Sequence, residues 1–144
     1  MTASPLTASQ SAAPQLFGTG ARQPVRETAG EWHDLAPDIL RQRLVIEGVP
    51  ARPVDDVLIR SYLSALSRAV DMVQLIEPVT HRSDLYGWAG WIHWETSGAH
   101  FYAWEQPRLF FSVDVYTCKA FDVDTAVAFT RDFLSADTIV AKSF

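Results

Sequence analysis

The 144-residue sequence has a single cysteine, Cys118, so no disulfide can form within the chain, and this usage suits a reducing compartment. No apolar run approaches the ~20 residues that a membrane-spanning helix needs. Basic residues are few and scattered: 12 Lys and Arg against 17 Asp and Glu leave a net charge of −5. Without a basic cluster nothing neutralises a phosphate backbone or an anionic lipid surface, which argues against nucleic-acid and membrane partners. The start of the chain lacks the basic-then-apolar pattern of a secretory signal. Together these absences predict a cytoplasmic protein. Zinc, P-loop and dinucleotide motifs are missing too. His33, His81, His93 and His100 do not fall at metal-ligand spacing, so no metal is expected.

What is present reads as one globular domain, 48% hydrophobic and 20% charged. Residues 1–30 are rich in Ser, Ala, Thr, Gln, Pro and Gly and cannot bury enough surface to offset their ordering entropy. They read as a disordered tail in which Leu16 and Phe17 are the docking candidates. The folded domain is placed at 31–144, with order beginning near Trp32.

Five tryptophans and eight phenylalanines concentrate towards the stretch from Tyr86 to Cys118. Residues 88–95 alternate, Trp88, Gly90, Ile92 and Trp94 on one face and Ala89, Trp91, His93 and Glu95 on the other, which is strand periodicity. Thr96-Ser97-Gly98 reads as a hairpin bend because glycine tolerates positive φ. Beyond it, His100, Tyr102 and Trp104 share one face and Ala99, Phe101 and Ala103 the other. A further strand is expected over about Leu109–Thr117.

Upstream, a short helical turn is expected over Asp34–Gln42, then a strand over Arg43–Glu47 that Gly48-Val49-Pro50 ends. Residues 54–73 space their apolar positions as an amphipathic helix, with Pro53 at its start and Asp55 and Asp56 in the first turn. A strand is expected over Gln74–Val79 and a polar connection over His81–Leu85. Asp122 reads as the N-cap of a second helix over Val123–Ser135, and a last strand covers Thr138–Lys142. The order β-α-β-β-β-β-α-β predicts an α+β two-layer sandwich, a mostly antiparallel sheet with both helices on one face. The aromatic surplus predicts that a second subunit covers the other face.

From about Arg41 onward the chain resembles the short bacterial and archaeal S-adenosylmethionine decarboxylases. Arg41-Gln42-Arg43-Leu44-Val45-Ile46-Glu47-Gly48 resembles their first strand. His81-Arg82, Tyr86-Gly87, Gly90 and Ser97 fall at the family's spacing, and Trp104 matches the tryptophan of its His-Thr-Trp-Pro-Glu segment. Val113-Asp114-Val115-Tyr116-Thr117-Cys118 resembles its Val-Asp-Val-Phe-Thr-Cys strand end.

The resemblance implies a proenzyme that cuts itself before a serine, here at Thr96–Ser97, leaving a pyruvoyl group formed from Ser97. That carbonyl condenses with the amine of S-adenosylmethionine and acts as the electron sink for decarboxylation, in polyamine synthesis. Cys118 takes the place of the family's proton donor. Glu47, Tyr86, Trp104 and Glu105 are the implied substrate-binding residues, although Gln106 competes with Glu105 because the proline has moved to Pro107.

Several family positions differ. The glutamate before the cleavage serine is Thr96, the histidine after it is Gly98, and the processing serine eight positions upstream is Ala89. The histidine that assists elimination is Tyr102, and the adenine-stacking aromatic is Ser83. His100, on the same strand face as Tyr102, can replace a missing acid or base near neutral pH, and Tyr102 can donate to an oxyanion.

The candidate catalytic residues are therefore Ser97, His100, Tyr102 and Cys118. Each has a plainer reading: a turn serine, a strand histidine, a packing tyrosine and a small buried thiol. His93 reads as structural or as a dimer contact, and Asp114 as bonded to the helix layer. Besides the pyruvoyl enzyme, two readings stay open. One is an uncleaved S-adenosylmethionine-binding member that runs another lyase or cyclisation reaction. The other is a non-catalytic paralogue that pairs with an active relative.

Overall fold

Strands form where apolar and polar residues alternate, and helices where apolar residues recur every three or four positions. A computed structural model describes residues 33–144. The readings for residues 1–30, with Leu16 and Phe17, and for Trp32 lie outside the described residues. The six strands are β1 (Gln42–Val49), β2 (Val79–Ser83), β3 (Gly87–Trp94), β4 (Ser97–Trp104), β5 (Phe110–Thr117) and β6 (Thr138–Ser143). Helices α1 (Asp56–Ala69) and α2 (Val123–Leu134) follow β1 and β5. The sheet runs β2-β3-β4-β5-β1-β6 with every neighbouring pair antiparallel. This is the α+β two-layer sandwich that the element order predicts.

Both helices start on an aspartate. The Asp55 carboxylate accepts the Leu58 N–H at 2.8 Å and that of Asp122 the Thr125 N–H at 2.6 Å, so each satisfies a donor that the first turn leaves unpaired. Asp55 is thus the cap of α1, one position ahead of the first-turn place expected for it. The helix side of the sheet buries Leu44, Ile46, Ile92, Trp94, Phe101, Phe111, Val113 and Val115 against Ile59, Tyr62, Leu63, Leu66 and Ala126. Tyr62 packs edge-on to Phe101 at 5.0 Å and Phe133 at 5.5 Å, tying α1 to both β4 and α2. Its hydroxyl bonds Thr130 Oγ1 at 2.8 Å inside the core. Gly90 lets α1 lie close to β3, since a Cβ there would sit 2.4 Å from Ile59 Cγ2.

Three local expectations are corrected. Asp34–Gln42 holds no helix: Ile39 N–H closes a turn on the Ala36 carbonyl at 3.0 Å, and Gln42 already belongs to β1. The strand expected over Gln74–Val79 lies instead at Val79–Ser83, where a polar connection was expected. As a sheet edge with a single neighbour, β2 buries little and needs no apolar alternation. The bend lies one residue early. Trp94 pairs with Ser97, so Glu95 and Thr96 make the turn, and Ser97 rather than Gly98 takes positive φ, at 130°. Gly98 is required for a different reason. A Cβ there would lie 2.3 Å from the Ile92 carbonyl oxygen, so no side chain has room at this position.

Candidate active site

The far sheet face, bare in the single chain, carries the candidate residues. Where β4 begins and β5 ends, Thr96 and Cys118 extend the ladder beyond the Ser97–Thr117 pair. The Cys118 N–H donates to the Thr96 carbonyl at 2.9 Å, and Ser97 Oγ lies 3.7 Å from Cys118 Sγ. The carbonyl of the Thr96–Ser97 bond thus has a fixed donor, and a hydroxyl and an exposed thiol lie side by side next to it.

Beneath this corner, Thr117 is fully buried. Its Oγ1 accepts the Lys119 N–H at 2.9 Å and lies 3.3 Å from Thr96 Oγ1, which in turn donates to Met72 Sδ at 3.4 Å. Sequence reasoning named Thr96 only as the residue before the cleavage serine and missed Thr117 and Met72 as parts of the site. A signal was there, because Thr117 is in phase with the core residues Val113 and Val115, where a lone hydroxyl calls for a partner.

An aromatic row climbs β4 away from the corner. His100 stacks on Tyr102 (6.2 Å, 15°), Tyr102 meets Trp104 at 6.0 Å, and Trp104 meets Tyr86 at 6.1 Å and Phe110 at 5.3 Å. Trp104, Pro107, Arg108 and Phe110 line an open cleft of about 330 Å³. The Glu105 N–H donates to the Tyr86 carbonyl at 2.7 Å, and its carboxylate lies 4.0 Å from Arg82 Nη2. Glu47, on β1, accepts a long hydrogen bond of 3.5 Å from Ser112, the cross-strand partner of Tyr102. Ala89 pairs with Tyr102, so the two face each other across β3 and β4.

One chain therefore holds the candidate residues in three separate groups. Ser97 meets Cys118, His100 meets Tyr102, and Trp104 meets Tyr86 with Glu105 beside them. At a strand rise of roughly 3.3 Å per residue, Tyr102 lies about 17 Å and Trp104 about 23 Å along β4 from Ser97.

Asp114 also departs from expectation. It faces the bare side, where Arg43 Nε and Nη2 grip its two oxygens at 2.9 and 2.8 Å, and that hydrogen bonding raises the guanidinium pKa. Its cross-strand neighbour is His100. His93 is exposed on the same face, opposite Gly98. Among the described residues no three His, Cys, Asp or Glu side chains gather to hold a metal, and no helix is long and apolar enough to cross a membrane.

A family model described as S-adenosylmethionine decarboxylase matches residues 31–144. The chain belongs to that family. The S-adenosylmethionine decarboxylases are carboxy-lyases, and the solved adenosylmethionine decarboxylase from Aquifex aeolicus shares the fold. It superposes with a TM-score of 0.60 at 19% identity, over 74% of this chain and 89% of that one. A comparison with curated proteins finds no match.

Proposed function

We propose that the chain is a lyase that decarboxylates S-adenosylmethionine and makes its own pyruvoyl group by cleaving Thr96–Ser97. The observation that carries this reading is the corner itself, where the Thr96 carbonyl is held by the Cys118 N–H at 2.9 Å beside the Ser97 hydroxyl. Ser97 Oγ adds to the Thr96 carbonyl carbon, and its proton passes to the Ser97 nitrogen as the C–N bond breaks. An ester results. The Cys118 N–H, already aimed at that oxygen, stabilises the negative charge as it develops. Loss of the Ser97 α-proton then expels the Thr96 carboxylate, and water hydrolyses the resulting enamine through its imine with release of ammonia.

The corner fits the group, because hydroxyl, carbonyl and oxyanion donor are all in place. Ser97 would carry that group, which would supply a carbonyl for the substrate amine and a sink for the electron pair of the C–C bond broken in decarboxylation. Cys118, whose Sγ lies 3.7 Å from Ser97 Oγ, is the proton donor to the substrate carbon in this reading. Trp104 and Tyr86 offer faces for a planar ring or a sulfonium, with Glu105 and Glu47 as acids for hydroxyls or the amine.

This reading includes a homodimer in which two copies pack their bare sheet faces. Support comes from the exposed Trp91, Tyr102 and Tyr116 on that face, and from the roughly 23 Å between Ser97 and Trp104. In this reading His100, Tyr102 and Trp104 of the second copy complete the site at the first copy's Ser97, and two-fold symmetry makes the exchange reciprocal.

The intact mass of the purified protein tests the reading. Two fragments divided before Ser97, the later one bearing a pyruvoyl group, are expected, together with carbon dioxide release from S-adenosylmethionine. One observation favours a second reading. Ala89 and Tyr102, paired across β3 and β4, supply neither the hydroxyl nor the imidazole that relatives use in processing. An uncleaved 16.1 kDa species that yields methylthioadenosine or a lactone identifies a different lyase or cyclase. An uncleaved species with no product identifies a regulatory paralogue.

A further inference from the structure

Ser97 is one of only a few non-glycine residues with positive φ among those described, and at 130° it lies where L side chains rarely go. Such a conformation persists only where its surroundings over-determine it. Here the preceding peptide is gripped from two sides. On the bare face the Cys118 N–H holds the Thr96 carbonyl at 2.9 Å. On the core side the Thr96 hydroxyl is caught between Thr117 Oγ1 at 3.3 Å and Met72 Sδ at 3.4 Å.

Thr117 is the fixed point of this clamp. It is wholly buried, the Lys119 N–H at 2.9 Å fixes its oxygen, and its single proton is shared between the Lys119 carbonyl at 3.1 Å and Thr96 Oγ1 at 3.3 Å. A valine of the same shape would fill its core position, but the hydroxyl does two things: it closes the turn to Lys119 and it meets the Thr96 hydroxyl at 3.3 Å. We propose that Thr117 is a positioning residue for cleavage of the Thr96–Ser97 bond. Through Thr96 it keeps the bond in the strained geometry that transfer of the acyl group from Ser97 nitrogen to Ser97 Oγ relieves. The inference rests on the self-cleaving reading above.

The test follows full-length chains made by cell-free translation, with intact mass against time, and adds hydroxylamine to trap the ester. Melting temperature is read in parallel. The wild-type chain is expected to cleave, Thr117→Val to cleave at least about tenfold more slowly at a melting temperature within a few degrees, and Thr117→Ser to recover most of the rate. Thr96→Val, at a half-buried turn position, is expected to match Thr117→Val, and the double variant to be no slower than either, as two members of one contact should behave. If Thr117→Val does not fold, Thr96→Val decides. Wild-type rates in these valine variants overturn the role of Thr117 and leave self-cleavage standing. A wild-type chain that stays intact, with or without hydroxylamine, overturns the self-cleaving reading and this inference with it.

Discussion

Ser97 Oγ and Cys118 Sγ lie 3.7 Å apart although 21 positions separate them in the chain. Antiparallel pairing of β4 with β5 brings them together, and the same pairing aims the Cys118 backbone N–H at the Thr96 carbonyl. One residue thus presents two groups to one corner, a main-chain donor to the carbonyl and a thiol to the hydroxyl.

Those two groups separate experimentally. Cys118→Ala keeps the N–H and removes the sulfur, so bond cleavage is expected to stay within a few-fold of wild type. Carbon dioxide release should fall by about 10²–10⁴, the usual worth of a positioned proton donor. Mass spectrometry reads the first and trapped labelled carbon dioxide the second. Unchanged decarboxylation removes the thiol from the mechanism.

A charge on the bare face should split the dimer. Trp91→Glu is expected to lower the sedimenting mass from twice the 16.1 kDa chain to that of the single chain and to abolish activity. Val57→Glu, on the exposed surface of α1, should change neither. Mixing inactive Ser97→Ala with inactive Trp104→Ala chains should restore activity, because a mixed dimer holds one intact pair of contributions. No recovery on mixing places all the necessary residues within one chain.

The buried Tyr62–Thr130 pair predicts an asymmetry in denaturant melts. Thr130 Oγ1 donates to the Ala126 carbonyl at 2.7 Å, so it must accept from Tyr62, whose burial pushes its own pKa up and keeps it a donor. Tyr62→Phe removes the donor and leaves Thr130 Oγ1, still bonded to Ala126, with only one unused lone pair, which should cost about 1 kcal/mol. Thr130→Val strands the phenol in the core, and a cost nearer 2–3 kcal/mol is expected. The reverse order would contradict this donor assignment.

Acid should destabilise the fold through two aspartates. Hydrogen bonds from Thr125 hold Asp122 below the ordinary carboxylate pKa, and a hydrogen bond and charge from Lys119 do the same for Asp71. A folded pKa below the unfolded one means that the native state binds fewer protons. Their stabilisation is therefore complete above the unfolded pKa near 3.8 and is lost as pH falls through the folded values. Melting temperature should be insensitive to these groups above about pH 5 and should decline below about pH 4. Asp122→Asn, which still caps, should reduce that decline without removing the helix.

Much of the sheet was legible because burial on one face imposes period-two alternation. β3, β4 and β5 fell close to their expected places, and Asp122 announced α2. β2 was missed because an edge strand need not alternate: Thr80, His81 and Arg82 are half exposed or exposed and satisfied by one neighbour. The bend was misplaced by one residue because glycine was credited with positive φ. Gly98 is needed for close approach to Ile92, and the strain falls on Ser97. Ser97 and Cys118 could be singled out from the motif, since each carries a reactive group in a family context. Their separation from Trp104 could not be seen, because spacing along a strand says nothing about which copy of the chain a side chain faces. The Arg43–Asp114 grip was hidden for a related reason, since register between β1 and β5 is not written in either strand alone.

Position 97 is caught between two incompatible demands. A φ of 130° suits glycine, which would relax the corner and carry no oxygen. Threonine would keep an oxygen, but its branched Cβ does not tolerate that backbone. Serine is the smallest side chain that can hold a nucleophile in such a spot, so the locus has almost no neutral neighbours in sequence space, and chains that drift from it should lose either the hinge geometry or the attacking atom.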